Sequence, residues 1–318
     1  MKNLISELAS AIHIGGRDEQ QDSVKIHTLN NAHLLVVADG MGGHRGGQLA
    51  SSIAVDVMVS QFIKENGVPQ NPQDFLKQTI HLANAEINRQ GEQQNIKPRT
   101  TIVVAIIIEN QAFWAHVGDS RLYLFKKGVF SERTRDHSVV QMLLDTDQIT
   151  EEEMGTHPDQ NRLLQSVGGE NPPKVTIGQS SLESGDAIFL CSDGLWERFD
   201  IPEMTKAANL EGKADIKTWT QKMVEEAAKR GGPKGDNVSL AVYKHQTKKI
   251  VPSMPKSILA IISLSVILIL GIASYGWIKH GTGIDNSDQS VSLEQPAIDS
   301  SISVDALETD KQEDRPTP

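Results

Sequence analysis

Three aspartates in this chain stand where an apolar run of strand length gives way to a turn. The run 34–38 meets Asp39-Gly40, the run 113–117 meets Gly118-Asp119, and the run 188–192 meets Asp193-Gly194. A fourth, in Asp236-Asn237, stands directly before the run that starts at Val238, and Asp22 is a fifth, in Arg17-Asp18-Glu19-Gln20-Gln21-Asp22. A single Asp-Gly pair is ordinary turn chemistry. Its recurrence at the ends of strands that must pack together points further. Carboxylates gathered at one end of a sheet repel one another unless a cation lies among them, and oxygen-only donors suit hard ions such as Mg²⁺ or Mn²⁺. No Cys or His cluster has zinc spacing.

The segment Asp39-Gly40-Met41-Gly42-Gly43-His44-Arg45-Gly46-Gly47 lets the backbone approach a metal or phosphate and leads into a helix, whose N-terminus favours an anion. It is not a dinucleotide fingerprint, because Arg45 takes the third glycine's place, nor a Walker loop, because no Gly-Lys-Ser/Thr follows. Cys191 is read as a small buried strand residue. As a tyrosine-phosphatase nucleophile it would need an arginine six positions on, where Glu197 stands.

The elements that must position these residues follow from hydrophobic pattern. Apolar runs rich in β-branched and aromatic residues predict strands at 34–38, 102–108, 113–117, 122–125, 187–191 and 238–243. Asn110-Gln111 reads as a hairpin turn, and Lys127-Gly128 ends another strand. Helices are expected at about 47–64, 72–90, 139–144 and 216–229, the third capped by Asp136 or Ser138. Strands come in blocks with few strand-helix-strand alternations, so the fold class is α+β, layered, with mostly antiparallel sheets.

The chain has 318 residues and 38% apolar content, ordinary for a globular protein. Its net charge is -10; residues 281–318 hold nine acidic and two basic residues, a balance of -7, which leaves -3 for residues 1–280. Neither part has the basic footprint of a nucleic-acid binder. One cysteine allows no internal disulfide, which fits a reducing compartment. Residues 257–278 carry no charge, and 22 residues at 1.5 Å each reach roughly 33 Å, enough to cross a bilayer core as one C-terminal transmembrane helix. Lys244, Lys248, Lys249 and Lys256 precede this stretch and only Lys279 closely follows, so the positive-inside bias places the preceding domain in the cytoplasm. The expected organisation is a catalytic domain at 1–245, a basic linker at 246–256, the span at 257–278, and an acidic tail at 279–318, disordered and outside the cytoplasm.

Taken in order, Gly16-Arg17 to Gln21-Asp22-Ser23, Val37-Ala38-Asp39-Gly40-Met41-Gly42-Gly43-His44, Val117-Gly118-Asp119-Ser120-Arg121, Arg135-Asp136-His137-Ser138, Leu190-Cys191-Ser192-Asp193-Gly194-Leu195 and Gly235-Asp236-Asn237-Val238 resemble the metal-dependent 2C-type protein phosphatases, in particular their bacterial branch. The likeness spans roughly residues 8–245. It implies a four-layer α-β-β-α sandwich of two antiparallel sheets with metals at one end. It also implies two Mn²⁺ or Mg²⁺ ions, bridged by Asp39, with Gly40 lending its carbonyl to one, Asp193 and Asp236 completing the other's shell, and Asp22 close by. Asp119 with Asp193 matches a more weakly held third site and Arg17 the arginine that grips the substrate phosphate; animal relatives place a histidine further along the chain, and His44, the histidine nearest Asp39-Gly40 here, is a candidate for proton transfer. The segment 138–169 corresponds to a flap beside the site.

On this resemblance the chain hydrolyses phosphoserine and phosphothreonine on proteins, through a hydroxide shared by two metals. It would oppose a serine/threonine kinase at the inner membrane of a bacterium, as a single-pass protein whose partners are that kinase's substrates. A binding protein built on the same fold would be expected to lose a bridging aspartate, and Asp22, Asp39, Asp193 and Asp236 are all present. Small phosphate esters stay open as substrates, because the metal core does not choose the leaving group. Departures from the family pattern are Gln21, where many relatives carry Glu, and Arg99-Thr100-Thr101 in place of Gly-Thr-Thr. Asp136 and His137 are read as capping the following helix.

Overall fold

In a strand, successive side chains point to opposite faces, and the third strand of this protein, β3 (Ala32–Met41), buries both. Leu34, Val36 and Ala38 pack on one side with Ala50, Ala54, Met58 and Phe62; Leu35 and Val37 pack on the other with Leu122, Leu124, Ile188 and Leu190. The computed structural model describes residues 3–43, 45–209, 215–248 and Leu270. Two units divide the chain, Met1–Val251 and Pro252–Pro318. Leu270 apart, the second lies outside the described residues, and with it the readings of 257–278 as a transmembrane helix and 279–318 as a disordered tail. Among the described residues no helix is long and apolar enough to cross a membrane.

The other elements are β1 (Asn3–His13), β2 (Asp22–Leu29), α1 (Gly46–Lys64), α2 (Pro72–Gln94), β4 (Arg99–Thr100), β5 (Ile102–Ile108), β6 (Gln111–Val117), β7 (Arg121–Lys126), β8 (Val129–Arg133), α3 (Val139–Asp145), β9 (Thr176–Ser181), β10 (Ala187–Cys191), α4 (Asp193–Trp196), α5 (Ile201–Ala208), α6 (Ile216–Gly231) and β11 (Val238–Lys248). One sheet has the order β1-β11-β10-β7-β8, the other β2-β3-β5-β6-β9 with β4 beside the end of β3. Every pairing is antiparallel.

Three apolar clusters fill three interlayer spaces. The first joins α1 and α2 to the β3 sheet, the second lies between the sheets, and the third packs Phe125, Phe189 and Val242 against Met204, Met223, Val224 and Ala227 of α5 and α6. Two sheets and two helical layers therefore stack as α-β-β-α, and a fully buried Leu, Val or Phe in any of the three contributes about 1.5–3 kcal/mol. Cys191 sits in the third cluster, free and buried, and burial pushes its thiol pKa well up.

Turn chemistry follows the local sequence. Lys127 and Gly128, both at positive φ, link β7 to β8, and Asn30 and Asn31 do the same between β2 and β3. The expected Asn110-Gln111 turn falls one residue earlier, because Gln111 opens β6 opposite Ile108 and Glu109 takes the positive φ. Ser138 caps α3, its side chain accepting from the Gln141 N–H. Asp136 and His137 do not cap it: Asp136 is buried against Arg121, and His137 bonds to Gly118 N–H and the Thr176 hydroxyl.

Candidate active site

The alternation that buries Leu35 and Val37 between the sheets carries Asp39 to the same face at the end of β3. Asp22, first residue of β2, is its direct cross-strand partner. Asp193 follows β10, Asp236 precedes β11 and Asp119 follows β6, so the core between the sheets ends at one pole in a row of carboxylates. Arg17, Asp39, Gly40, Asp119, Asp193 and Asp236 line one cleft of about 500 Å³. Asp22 lies buried beside them, its Oδ2 accepting from the Ser192 hydroxyl at 2.7 Å. Six of the expected site residues thus share a cleft and a seventh adjoins it. The eighth, His44, lies outside the described residues.

Thr100 and Thr101 clamp the Asp39 backbone: the Asp39 N–H donates to Thr101 Oγ1 (3.0 Å), and its carbonyl accepts from the Thr101 N–H and the Thr100 hydroxyl, each at 2.8 Å. Asn237 fastens the 14–21 loop to the β11 entrance, accepting from the Gln21 N–H at 2.7 Å and donating to the carbonyls of Ile14 and Glu19. That loop carries Arg17, whose Nη2 reaches Asp236 Oδ2 at 2.5 Å. The 138–169 segment is pinned by bridges between Ser138 and Leu163 and between Thr100 and Val167, and brings Asn161 and Leu163 to the cleft wall. Arg99, at the edge in β4, faces solvent.

At Gly40 no side chain fits. A Cβ there would fall 2.1 Å from the carbonyl oxygen of Gly47 and 2.7 Å from that of Gln21. Gly40→Ala must push the start of α1 away from β3, so it is expected to lower the unfolding free energy by about 1–3 kcal/mol in a urea titration and to displace Asp39 enough to remove activity.

Burial and mutual repulsion set the protonation of the site. Burial first, then Asp193, Asp22, Asp119 and Asp236, holds Asp39 well above the carboxylate range, and Asp193 is raised by burial, Asp119 and Glu197. Burial raises Asp22 to about 6 against the Ser192 hydrogen bond, and lifts Asp119 to about 7. Glu197, one helical turn beyond Asp193, is raised to about 7, chiefly by burial. Sequence reasoning assigned Glu197 no place in the site, although its spacing of four from Asp193 was a usable signal.

Cations fit this donor set. Asp22 Oδ1 and Asp193 Oδ1 are buried without a hydrogen-bond partner, and such atoms need one. Among the described residues no group of three or more acidic, His or Cys side chains is placed closely enough to hold a metal ion as it stands. The carboxylates share a cleft, with backbone carbonyls beside them.

Residues 11–237 match the sequence pattern of the family described as protein phosphatase 2C, a span holding all eight expected site residues. The chain belongs to the protein phosphatase 2C family. Protein phosphatase PhpP of Streptococcus pneumoniae is 34% identical over 230 residues, 71% of this chain and 92% of PhpP. The S. agalactiae serine/threonine phosphatase superposes with a TM-score of 0.67 at 30% identity, covering 76% of this chain and 99% of that one. The catalytic domain of the serine/threonine protein phosphatase PstP, in complex with two manganese ions, gives 0.66 at 27% identity, covering 77% of this chain and all of that one. This 2C phosphatase is accordingly a protein serine/threonine phosphatase with the family's two-sheet fold.

Proposed function

We propose that the chain hydrolyses phosphoserine and phosphothreonine on proteins with two Mn²⁺ or Mg²⁺ ions held by Asp39, Gly40, Asp193 and Asp236, Asp22 close by, and a third, weaker ion between Asp119 and Asp193. The observation that carries this reading is the row of carboxylates, buried at Asp22, Asp119 and Asp193 and partly buried at Asp39 and Asp236, with its two unpartnered oxygens; the two manganese ions of PstP support it. When bound, the ions lower the pKa of a shared water and neutralise charge on the phosphoryl oxygens.

The chain's own residues do the rest. Thr100 and Thr101 fix Asp39 along the cleft floor, and Gly40 keeps that floor free of side chains. Arg17, with 55% of its side chain exposed, engages Asp236 through Nη2, which leaves N–H groups of its fork for the phosphoryl oxygens of a substrate. His44 is a candidate proton carrier on its sequence position alone.

The same reading places the domain at the cytoplasmic face of a bacterial inner membrane, anchored by residues 257–278 with the acidic tail outside, where it opposes a serine/threonine kinase. Its support is the uncharged 22-residue stretch and the lysines before it. Tethering raises the local concentration of enzyme over membrane kinases and their substrates. The test is the full-length chain, expressed in bacteria and purified in detergent from the membrane fraction, assayed for phosphate release from a phosphothreonine peptide. Release with Mn²⁺ or Mg²⁺ that EDTA stops, and retention in membranes after an alkaline wash, are expected. No release with either metal would overturn the chemistry, and recovery in the wash would overturn the anchor.

A further inference from the structure

Beneath the 138–169 segment lies a charged cluster that the reaction above does not use. Arg121 opens β7 with only 3% of its side chain exposed, and it binds Asp136, itself 1% exposed, in fork geometry: Nε to Oδ1 at 3.0 Å and Nη2 to Oδ2 at 2.8 Å. Its Nη1 reaches the Tyr123 hydroxyl at 3.1 Å and Glu151 Oε1 at 3.4 Å. The guanidinium plane stacks on the Trp196 ring, 3.6 Å from the centroid, and the Trp196 indole N–H donates to the backbone carbonyl of Asp119 at 3.0 Å. Glu151 is held from its other side by Arg133, with two contacts at 2.7 and 2.5 Å.

A buried ion pair of this kind adds little net stability over apolar packing, so its geometry is the informative part. One planar cation touches three pieces of the molecule at once. Its edge meets Asp136 and Glu151, which belong to the approach to the 138–169 segment and to the segment itself, and its face meets Trp196. Trp196 ends the short helix that starts with Asp193, and its N–H fixes the peptide of Asp119. Glu151 and Trp196 thus meet the same guanidinium, one at its edge and the other at its face.

We infer that Arg121 is a positioning residue for the phosphatase reaction, tying the 138–169 segment through Glu151 to the Asp119 peptide through Trp196, so that seating of the segment and ion binding at Asp119 are coupled. The inference rests on the reading of Asp119 as a metal-holding residue. Groups that orient ligands in this way change metal affinity by about 10- to 100-fold when removed.

The experiment compares Trp196→Phe, which keeps the stack but loses the indole N–H, and Glu151→Gln with the full-length protein in detergent. Asp119→Asn serves as the reference. Two quantities are read: Mn²⁺ binding by titration calorimetry without substrate, and amide hydrogen exchange across 139–167 in metal-free protein. Trp196→Phe and Glu151→Gln should each weaken the weakest Mn²⁺ step about tenfold and speed exchange in the segment, with the double variant falling short of the product of the two. If Asp119→Asn removes that step while the other two variants bind Mn²⁺ as the parent does, Asp119 holds the ion and the coupling is overturned. If Asp119→Asn leaves the isotherm unchanged, the metal reading of Asp119 fails instead. The coupling to ion binding is then overturned with it, and exchange decides only the mechanical tie: faster exchange in Trp196→Phe sustains a link between the segment and the Asp119 peptide, and unchanged exchange overturns that link too.

Discussion

Asp39→Asn should remove phosphate release and, in the same protein freed of metal, raise the thermal midpoint. The first effect follows from the place of Asp39 between Asp22 and the carboxylates of the other sheet. On the proposed reading of Asp39 as a metal-holding carboxylate, its loss would forfeit several kcal/mol of transition-state stabilisation, which is about a thousandfold or more in rate. The second follows from repulsion. Asp39 is partly buried beside four carboxylates, and each of them disfavours its charge. Asn is isosteric and neutral, so it relieves the cluster and can still bond to a neighbouring carboxylate. A gain of about 1 kcal/mol would lift the midpoint by roughly 2–4 °C in a domain of this size. Phosphopeptide turnover beside differential scanning fluorimetry in EDTA measures both. An Asp39 that served only packing would lose stability and activity together, and that joint loss would overturn the carboxylate-cluster reading.

Burial decides which parts of the protein were legible in its sequence. All six strands expected from apolar runs, β3, β5, β6, β7, β10 and β11, are interior strands covered on both faces. Such strands must be continuously apolar. The four long strands that sequence reasoning passed over, β1, β2, β8 and β9, are the sheet edges. Their burial alternates or fades, as in Thr176–Ser181, where no residue is fully buried, so residues such as Lys25, Glu132 and Gln179 dilute the pattern. Helix α5 was missed although Asp200 and Glu203 form a capping box around Pro202, a short-range signal in plain view. In the site, carboxylates announced themselves because Asp is out of place at the end of a buried strand. The groups that orient them did not. Ser192 reaches the Asp22 carboxylate, and Asn237 and the Thr100-Thr101 clamp reach backbone atoms, of residues far away in sequence, and no local pattern encodes such a partner. Arg121 and Asp136 stand 15 apart, and only the β7–β8 hairpin brings them together.

In metal-free protein, stability should fall as pH rises from 6.5 to 8, the reverse of the usual behaviour of carboxylates. An unfolded Asp or Glu loses its proton near pH 4. In the folded chain Asp22 keeps its proton to about 6, Asp119 and Glu197 to about 7, and Asp39 and Asp193 are raised well above the carboxylate range. Between those limits the native state binds more protons than the unfolded state, so the unfolding free energy has a negative slope in pH. Stability is fully present below pH 4 and is lost as pH climbs through the folded values. Burial lowers His33, His116, His137 and His245, and they act in the other direction, destabilising the fold as pH drops below about 6.5, where unfolded histidines take up protons. Above 6.5 both states hold histidine mostly neutral, and the carboxylates dominate. The loss from 6.5 to 8 should reach roughly 2 kcal/mol or more, about 5 °C in midpoint. Saturating Mn²⁺ should flatten or invert the profile, because ligands must shed their protons to bind metal, so affinity rises with pH and with it the stabilisation by mass action. A midpoint in EDTA that climbs from pH 6.5 to 8 would show that these carboxylates are already ionised in the metal-free fold. The two unpartnered oxygens of Asp22 and Asp193 would then have to be satisfied by something other than a cation.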